Sequence, residues 1–330
     1  MRKAPTNFRI AIVGAGAMAR EHARAFQDID GVVLSGVFSR TREKSEQFAD
    51  EFGVPEVCSS VAELFDRTKA SLVVLAISPV HTTEIGLQCL QFPWTVLMEK
   101  PPGLDLEESL CLQSTARQLQ RKVLVALNRR FYFSTQRALE DLNQRTGTRH
   151  IHVFDQQSVD LAARLGHDHG ALLNWHYCCS VHMVDYLRVF GRGKPSVAHV
   201  FGSSDNAIVA SLEFDSGDTA VYECIWKGPG PWAVMVTTAD KRWEMRPLEN
   251  LSYQSAGSRT LVPLTIDPID TRFKAGFRLQ AKHAVAATLG QHSCSVTLDD
   301  AVETMELVSD IYPSGWLSAQ VGSLALPMSR

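Results

Sequence analysis

Short apolar runs alternate with amphipathic segments through the first half of the chain. The apolar runs predict strands at residues 8–13, 32–38, 72–77, 95–98 and 123–127. Helical patterns between and after them cover residues 17–27, 41–52, 82–90 and 106–119. Wholly apolar strands that alternate with helices form a parallel sheet covered on both faces. The pattern therefore predicts an α/β domain with a doubly wound parallel sheet over residues 1–125.

From about Arg149 the strands change character, because apolar and polar positions now alternate. Such strands are predicted at residues 151–159, 197–201, 207–214, 219–226 and 233–238, and helices at residues 180–190, 273–289 and 298–312. Alternation is typical of an antiparallel sheet with one face on a core and the other against water or a partner. We therefore expect residues 126–330 to form a second, α+β domain.

Composition narrows the class of protein. The chain has 330 residues, of which 45% are hydrophobic and 21% charged, as expected of a globular protein with two domains. With 33 basic and 36 acidic residues, it has no positive excess for binding a nucleic acid or an anionic membrane. No apolar run approaches the roughly 20 residues of a membrane span, and the basic start lacks a cleavage-site pattern. Its seven scattered cysteines indicate reduced thiols and predict a cytoplasmic protein.

The glycine-rich turn after the first strand fits a dinucleotide-binding motif. Residues 14–19 read Gly-Ala-Gly-Ala-Met-Ala, which matches G-x-G-x-x-G/A between a strand and a helix. In this motif Gly14 permits the tight turn, Gly16 lets a pyrophosphate approach the backbone, and Ala19 lets the helix pack closely on the strand. The amides expected to face the phosphates are those of Gly16, Ala17 and Met18. The alternative is a merely tight turn without a ligand.

The end of the second strand predicts which nucleotide binds. An NAD site usually carries an acidic residue there that binds the ribose 2′-hydroxyl, and this chain has none. Ser39 can donate a hydrogen bond to a 2′-phosphate, and Arg40 can pair with it. Arg42 and Lys44 are equally consistent with charges on an exposed helix. The sequence therefore favours NADP(H), with NAD(H) as the alternative.

Motifs along nearly the whole chain resemble those of the Gfo/Idh/MocA oxidoreductase family. Besides the glycine motif they are Ser78-Pro79-Val80-His81, Glu99-Lys100-Pro101, Asn128-Arg129-Arg130-Phe131 and Val181-His182-Met183-Val184-Asp185. The resemblance implies an N-terminal Rossmann domain and a C-terminal domain on an open, mostly antiparallel sheet, through which homo-dimers or tetramers form. It also implies hydride transfer between a nicotinamide and a hydroxyl or carbonyl group of a small molecule, namely a sugar, polyol or sugar derivative.

The resemblance assigns roles to individual residues. It places Lys100 beside the nicotinamide, where an ammonium polarises the reacting oxygen, and it makes His182 the general acid/base. It also implies a cis Lys100–Pro101 bond. Glu99 is expected to hold either the local structure or the nicotinamide ribose, and Ser78 and His81 are expected to lie at the cofactor. The alternatives are a surface lysine and a histidine packed in a helix.

The family's second motif, D-x-G-x-H-x-x-D, is only partly kept. Cys178 stands at the first Asp and Ser180 at the Gly, whereas His182 and Asp185 are retained. Asp185 lies one helical turn after His182, where it can orient the ring or reach a substrate hydroxyl. A thiol replaces a carboxylate poorly. Three explanations therefore stand: a different substrate, a proton relay through Lys100 and His182 alone, or an impaired protein that senses NADP(H) without turnover.

The segment before that motif is rich in histidine and aromatic residues. Zinc is one hypothesis, with candidate ligands His167, His169, His176, Cys178, Cys179 and His182, but their spacing fits no common zinc motif, and no metal is favoured. We interpret residues 164–179 as a substrate loop in which Arg164 and Trp175 offer a charge and an aromatic platform. This composition also favours an acidic or nucleotide-linked sugar. Core packing is the alternative for Trp175, and residues 226–232 are interpreted as a strand connection.

Overall fold

The computed structural model of this protein describes residues 7–203, 207–313 and 315–316. The chain divides into two compact units. The first contains the described residues up to Phe131 and those from Ile269 to Glu303, and the second contains Tyr132–Pro268 and the described residues from Thr304 onward. The first break in the chain, after Phe131, lies close to the predicted boundary at residues 125/126.

Six strands of the first unit form one parallel sheet. They are β1 (Phe8–Val13), β2 (Val32–Phe38), β3 (Val57–Cys58), β4 (Leu72–Leu75), β5 (Thr95–Glu99) and β6 (Val123–Ala126). Their order is β3-β2-β1-β4-β5-β6, which is the order of a doubly wound dinucleotide-binding domain. The helices between them are α1 (Ala17–Gln27), α2 (Arg42–Phe52), α3 (Val61–Thr68), α4 (Thr82–Leu90) and α5 (Leu106–Gln118). The predicted α/β domain is confirmed.

Both faces of this sheet are covered, as the apolar strands require. In β1, Ile10 and Ile12 point into one apolar layer, while Ala11 and Val13 point into the other. All four residues are at most 1% exposed. Because successive side chains of a strand alternate between faces, an all-apolar strand is stable only between two layers.

The second unit is built on an eight-stranded sheet. Its strands are β7 (His150–Gln157), β8 (Pro195–Ser203), β9 (Ala207–Phe214), β10 (Thr219–Trp226), β11 (Ala233–Thr237), β12 (Lys241–Met245), β13 (Ser252–Ser255) and β14 (Val262–Pro263). Their order is β14-β13-β12-β11-β7-β10-β9-β8. Among these described strands, β7 and β10 run parallel and the other neighbours pair antiparallel. The expected open, mostly antiparallel sheet is confirmed.

The helices of the second unit lie mainly between β6 and β8. They are α6 (Phe133–Leu142), α7 (Val159–Arg164), α8 (His169–Leu173) and α9 (Val181–Phe190), with a π-helical turn at His176–Ser180 that leads into α9. Strand β7 ends at Gln157, before the predicted end at residue 159, because Ser158 caps α7 by accepting from the amide of Leu161. Strands β7 and β10 alternate buried and more exposed positions, so one face of the sheet is only partly covered within this chain.

The last helices correct the predicted domain division. They are α10 (Ile269–Arg272), α11 (Phe277–Thr288) and α12 (Leu298–Ile311). Helix α11 belongs to the first unit because its buried face joins the core of the parallel sheet, where Phe277 and Ala281 are at most 2% exposed and share an apolar cluster with Leu124. Residues 269–303 therefore lie outside the second domain predicted at 126–330. None of the helices in the described residues has the length and apolar character of a membrane span.

Candidate active site

The glycine-rich turn has the shape that a dinucleotide motif requires. Gly14 has φ +111°, and a Cβ atom there would lie 2.1 Å from the carbonyl oxygen of Ala76, so no other residue fits. Gly16 begins α1 without a side-chain cap, and a Cβ there would meet no atom of the described chain within 4 Å. Ala19 is fully buried against the sheet. The space beside Gly16 at the start of α1 is therefore open, which fits the approach of a pyrophosphate to the helix N-terminus.

Ser39 and Arg40 follow β2 at the same edge of the sheet. The Ser39 hydroxyl lies 2.8 Å from the carbonyl oxygen of Thr41 and 3.0 Å from the Ser45 hydroxyl, which holds the turn. Arg40 is exposed, and within the described part of the chain it makes no hydrogen bond or ion pair. Arg42, by contrast, pairs with Glu46 at 2.8 Å. Arg40 is therefore the more available cation for a 2′-phosphate.

Ser78 and His81 flank a short 3-10 turn after β4. The amide of His81 donates to the carbonyl of Ser78 at 3.0 Å, and the backbone of His81 begins α4. Because β4 lies beside β1 in a parallel sheet, this turn and the glycine turn share the carboxyl edge. Ligands of doubly wound sheets bind at that edge.

Glu99 and Lys100 stand at the carboxyl end of β5, the next strand of that edge. The Lys100–Pro101 bond is cis, as the resemblance implies. Oε1 of Glu99 lies 2.8 Å from Nε2 of His22, whose side chain is fully buried on α1. Glu99 therefore ties the end of β5 to α1.

His22 is not among the site residues predicted from the sequence. The sequence does indicate that His22 is buried, because it lies on the same face of α1 as Ala19, Ala23 and Phe26, all fully buried. A polar side chain in the middle of an apolar helix face needs a buried partner. The sequence pattern does not identify that partner as Glu99, because the two residues are 77 positions apart.

In the second unit, His182 and Asp185 lie on the first turns of α9. His182 is 8% exposed and Asp185 is 3% exposed. Oδ1 of Asp185 accepts from the hydroxyl of Thr304 on α12 at 2.9 Å, and Thr304 also accepts from Arg188 at 2.9 Å. These contacts fix the orientation of α9 and hold a carboxylate one turn after His182.

Cys178 lies in the π-helical turn that leads into α9. It is 6% exposed, and its amide donates to the carbonyl of Asn174 at 2.9 Å. Burial lowers the pKa of the neighbouring His176 to about 4, so that ring is neutral near pH 7. π-Helical turns are rare and often occur at functional sites. The departure from the family motif at Cys178 thus coincides with an unusual backbone.

The proposed substrate loop is anchored at the end of β7. Nε1 of Trp175 donates to Oε1 of Gln157 at 2.9 Å, and the ring of His167 packs edge-on against Trp175 with centroids 5.0 Å apart. Arg164 ends α7 and is exposed, without a hydrogen bond or ion pair to another described residue. In the described ranges no group of three or more His, Cys, Asp or Glu residues is arranged to hold a metal ion.

A strand connection lies at the same edge of the second sheet. Residues 227–232 join β10 to β11, which flank β7 on its two sides. Nε1 of Trp232 donates to the carbonyl of Gln156 at 2.7 Å, leaving the residue 39% exposed. Lys227 has φ +64° and its amide donates to the carbonyl of Gln157 at 3.1 Å. The sequence predicts this strand connection but not its position beside β7, because the order of the strands is not a local property of the sequence.

Comparison with known proteins finds a family match in the first unit. Residues 8–127 match the Gfo/Idh/MocA family, described as an oxidoreductase family with a NAD-binding Rossmann fold. A curated protein similar to this part of the chain, glucose-6-phosphate 3-dehydrogenase of Bacillus subtilis, is 34% identical over 37% of this chain and 34% of its own length. The chain thus spans about a third of that relative.

Solved structures share the fold of this chain over most of its length. A dehydrogenase from Chromobacterium violaceum superposes with a TM-score of 0.77 at 18% identity, covering 93% of this chain and 95% of the other. A UDP-N-acetylglucosamine 3-dehydrogenase from Acidithiobacillus ferrooxidans gives a TM-score of 0.76 at 15% identity, covering 93% and 97%. The fold of this chain therefore occurs in both.

Proposed function

We propose that this protein is an NADP(H)-dependent oxidoreductase that acts on a CH–OH or carbonyl group of a sugar, polyol or sugar derivative. One observation carries the proposal. Lys100 follows β5 at the carboxyl edge of the sheet at which the Gly14–Gly16 turn opens toward a dinucleotide. A cation beside a nicotinamide is suited to stabilising the oxygen from which, or to which, a hydride moves.

Residues of this protein bind the substrate oxygen and exchange its proton. The bound nicotinamide supplies the hydride chemistry at its C4 atom. Lys100 donates a hydrogen bond to the substrate oxygen and stabilises negative charge on it. His182 exchanges the proton of that oxygen, because an imidazole titrates near neutral pH. Asp185, held by Thr304, contributes a fixed carboxylate one turn away.

The preference for NADP(H) rests on Ser39 and Arg40. Neither the strand end nor the following turn carries an acid that would bind a ribose 2′-hydroxyl and repel a phosphate. The exposed guanidinium of Arg40 is suited to pairing with a 2′-phosphate and to stacking on adenine. The Ser39 hydroxyl is held by Thr41 and Ser45 at the start of that turn.

The substrate class proposed is an acidic or nucleotide-linked sugar. Arg164 and Lys227 are exposed cations at the edge of the second sheet where the substrate loop and the 227–232 connection meet. Trp175 and Trp232 are anchored there by their indole N–H groups, and such rings are suited to packing against a sugar or a base. Asp160 and Asp168 lie in the same loop, so the positive charge there is partly balanced.

Two further properties belong to the proposal. The partly covered face of the second sheet carries Phe154, Val221 and Phe201, the last of them 63% exposed, which supports a homo-dimer or tetramer formed through that face. Within the described residues the seven cysteines form no disulfide bond, which supports a cytoplasmic location. Sedimentation analysis of the purified protein tests the first of these, and a monomer at micromolar concentration would contradict it.

The decisive experiment is a turnover screen with matched lysine variants. Free sugars, sugar phosphates and nucleotide sugars are incubated with NADP+, and the corresponding ketosugars with NADPH, while absorbance of the reduced nicotinamide is followed. Turnover should fall by about a thousandfold in Lys100→Ala, the scale of removing one transition-state charge donor, with NADPH affinity retained. Lys282→Ala, which removes an exposed lysine of α11, serves as the control. Equal turnover in the two variants would refute the role of Lys100.

The buried thiol of Cys178 favours one second candidate, a protein that senses NADP(H) without turnover. A thiol that is 6% exposed offers a substrate neither a charge nor a good hydrogen bond. Tight NADPH binding with no turnover across the panel supports this candidate, as does a gain of turnover in Cys178→Asp. Turnover by the unaltered protein excludes it.

A further inference from the structure

A chain of buried hydrogen bonds crosses the second unit from β7 to the start of α9. Oδ2 of Asp155 accepts from the hydroxyl of Tyr222 at 2.8 Å, and Tyr222 lies 2.7 Å from the hydroxyl of Tyr312. The Tyr312 hydroxyl lies 3.2 Å from Oγ of Ser180, the last residue of the π-helical turn. All four residues are at most 5% exposed.

The same carboxylate also reaches the other end of that turn. Oδ1 of Asp155 accepts from Nε2 of Gln157 at 2.6 Å, and Oε1 of Gln157 accepts from the indole of Trp175 at 2.9 Å. Trp175 immediately precedes the π-helical turn, and Ser180 ends it. The backbone of residues 176–180 is therefore tied at both ends to one buried carboxylate.

The contacts form one continuous hydrogen-bonded path. Tyr222 donates its single hydroxyl proton to Oδ2 of Asp155. The Tyr222 and Tyr312 hydroxyls share a hydrogen bond, and the Tyr312 hydroxyl is also hydrogen-bonded to Oγ of Ser180. Consecutive hydrogen bonds in a buried path strengthen one another, so Asp155 is coupled to Ser180 at the start of α9.

The hydrogen bonds from Asp155 to Ser180 have largely apolar and aromatic surroundings. The rings of Trp226 and His176 lie 6.2 and 5.3 Å from that of Tyr312. Burial raises the pKa of both Tyr222 and Tyr312 well above 10.0, so both hydroxyls keep their protons. Burial likewise raises the pKa of the adjacent Cys224 thiol. A hydrogen bond in such surroundings is costly to break because water does not replace the lost partner.

We propose that Asp155 is a positioning residue for His182, acting through Gln157–Trp175 on one side and Tyr222–Tyr312–Ser180 on the other. Its hydrogen-bonded carboxyl group holds the π-helical turn and the start of α9 in the geometry that presents His182. The assignment rests on the proposed function in so far as His182 is the acid/base of that reaction.

This role accounts for both departures from the family motif. The motif carries a carboxylate at position 178 and glycine at position 180, whereas this chain has Cys178 and Ser180. The Ser180 hydroxyl, which glycine lacks, is the end of the chain that begins at Asp155. Asp155 thus provides a carboxyl group that is coupled to the start of α9 from inside the core. It does not restore a contact with substrate, because Asp155 is 1% exposed.

The test compares two buried tyrosines. Tyr222→Phe removes the hydroxyl that joins Asp155 to Tyr312. Tyr186→Phe is the matched control, because Tyr186 is a 1% exposed tyrosine on α9 whose hydroxyl contacts Thr135 at 3.3 Å, outside the chain. Amide hydrogen exchange of residues 176–185 is measured in both without any substrate. We expect exchange about tenfold faster in Tyr222→Phe than in the control, as for loss of one buried hydrogen bond.

Turnover gives the second measurement. On a substrate found in the screen, kcat should fall about tenfold in Tyr222→Phe with KM for NADP(H) unchanged, whereas Tyr186→Phe keeps kcat. Equal exchange in the two variants, or equal loss of kcat, overturns the proposal. If the unaltered protein turns over no substrate, the proposed function fails, while the exchange comparison still decides whether Asp155 holds the turn.

Ser180 supplies variants that keep both tyrosines, should Tyr222→Phe fail to fold. Ser180→Gly, the family residue, removes the hydroxyl at the end of the chain, and Ser180→Thr keeps it. Faster exchange and lower kcat in the glycine variant, with values near those of the unaltered protein in the threonine variant, support the proposal. The same values in both variants overturn it.

Discussion

His22 and Glu99 form a buried polar contact in which Nε2 and Oε1 are 2.8 Å apart. The His22 ring packs against Phe277 of α11 with centroids 4.8 Å apart. The contact joins α1, which carries the glycine motif at its start, to Glu99, the last residue of β5. The helix that begins at the glycine motif is therefore tied to the residue that precedes Lys100.

Removal of the imidazole should destabilise the first unit. In His22→Leu, the Glu99 carboxylate loses a donor while only 11% of its side chain is exposed, so the free energy of unfolding should fall by about 2 kcal/mol. Urea denaturation measures this loss. His292→Leu, which removes an exposed histidine of the same unit, should change stability by less than about 0.5 kcal/mol. Indistinguishable midpoints for the two variants would show that the contact contributes nothing.

The two motif glycines should respond differently to alanine. In Gly14→Ala, the new Cβ would lie 2.1 Å from the carbonyl of Ala76 at φ +111°, so unfolding should become easier by several kcal/mol, about 3 or more. In Gly16→Ala, nothing in the described chain obstructs the methyl group, and stability should change by only a few tenths of a kcal/mol. The methyl group occupies the space proposed for the pyrophosphate, so NADPH affinity should fall about tenfold or more.

Urea denaturation and NADPH titration distinguish these outcomes. If Gly16→Ala binds NADPH as tightly as the unaltered protein, the pyrophosphate does not bind beside residue 16. A Gly14→Ala protein of normal stability would contradict the close approach to Ala76.

Much of the first unit could be predicted from sequence because its signals are local. The bounds of β1 and β2, and of β9 and β10 in the second unit, are those that the patterns indicated. Gly14 could be singled out because a tight turn after a buried strand demands a positive φ. The amphipathic pattern of α11 showed that one helix face is buried, but no local signal indicates which of two sheets that face covers.

Buried polar contacts were not predictable either, because no local signal in the sequence identifies a partner that is distant along the chain. Asp155 and Gln157 fall on the buried side of an alternating strand, where polar residues need partners. The partner of Asp155, Tyr222, is 67 residues away, and only the parallel pairing of β7 with β10 brings them together. Register between distant strands depends on the assembled sheet rather than on the composition of either strand.

Nucleotide preference should depend on Arg40 and not on Arg42. Loss of a charge-assisted hydrogen bond to a 2′-phosphate weakens binding by about 1.5–3 kcal/mol, so Arg40→Ala should lower affinity for NADPH by about 10- to 100-fold and leave NADH affinity unchanged. Arg42→Ala is the control, because its guanidinium pairs with Glu46 at 2.8 Å. Fluorescence titration with both nucleotides gives the ratio. An unchanged ratio in Arg40→Ala would place the 2′-phosphate elsewhere.

The acid sensitivity of the second unit should reflect Asp218. This carboxylate is fully buried and accepts from Nε of Arg192 at 2.9 Å and from the amide of Arg149 at 2.8 Å. Burial alone would raise its pKa, but these donors outweigh burial and lower the pKa from 3.8 to about 2. The unfolded chain therefore binds a proton more readily than the folded one between those values. The resulting stabilisation, about 2 kcal/mol, is complete above pH 4 and is lost as the pH falls toward 2.

Asp218→Asn separates this contribution from other effects of acid. Near pH 7 the variant should unfold more easily than the unaltered protein by about 2 kcal/mol, because Arg192 loses its charged partner. The difference should shrink as the pH falls below about 4, since protonation of Asp218 removes the same charge from the unaltered protein. Glu249→Gln, which neutralises an exposed acid of the same unit, should show no such convergence. The difference in stability between the unaltered protein and Asp218→Asn could instead stay constant down to about pH 2. That result would mean that the pKa of Asp218 does not change on unfolding, and that its hydrogen bonds to Arg192 and Arg149 do not favour the charged form.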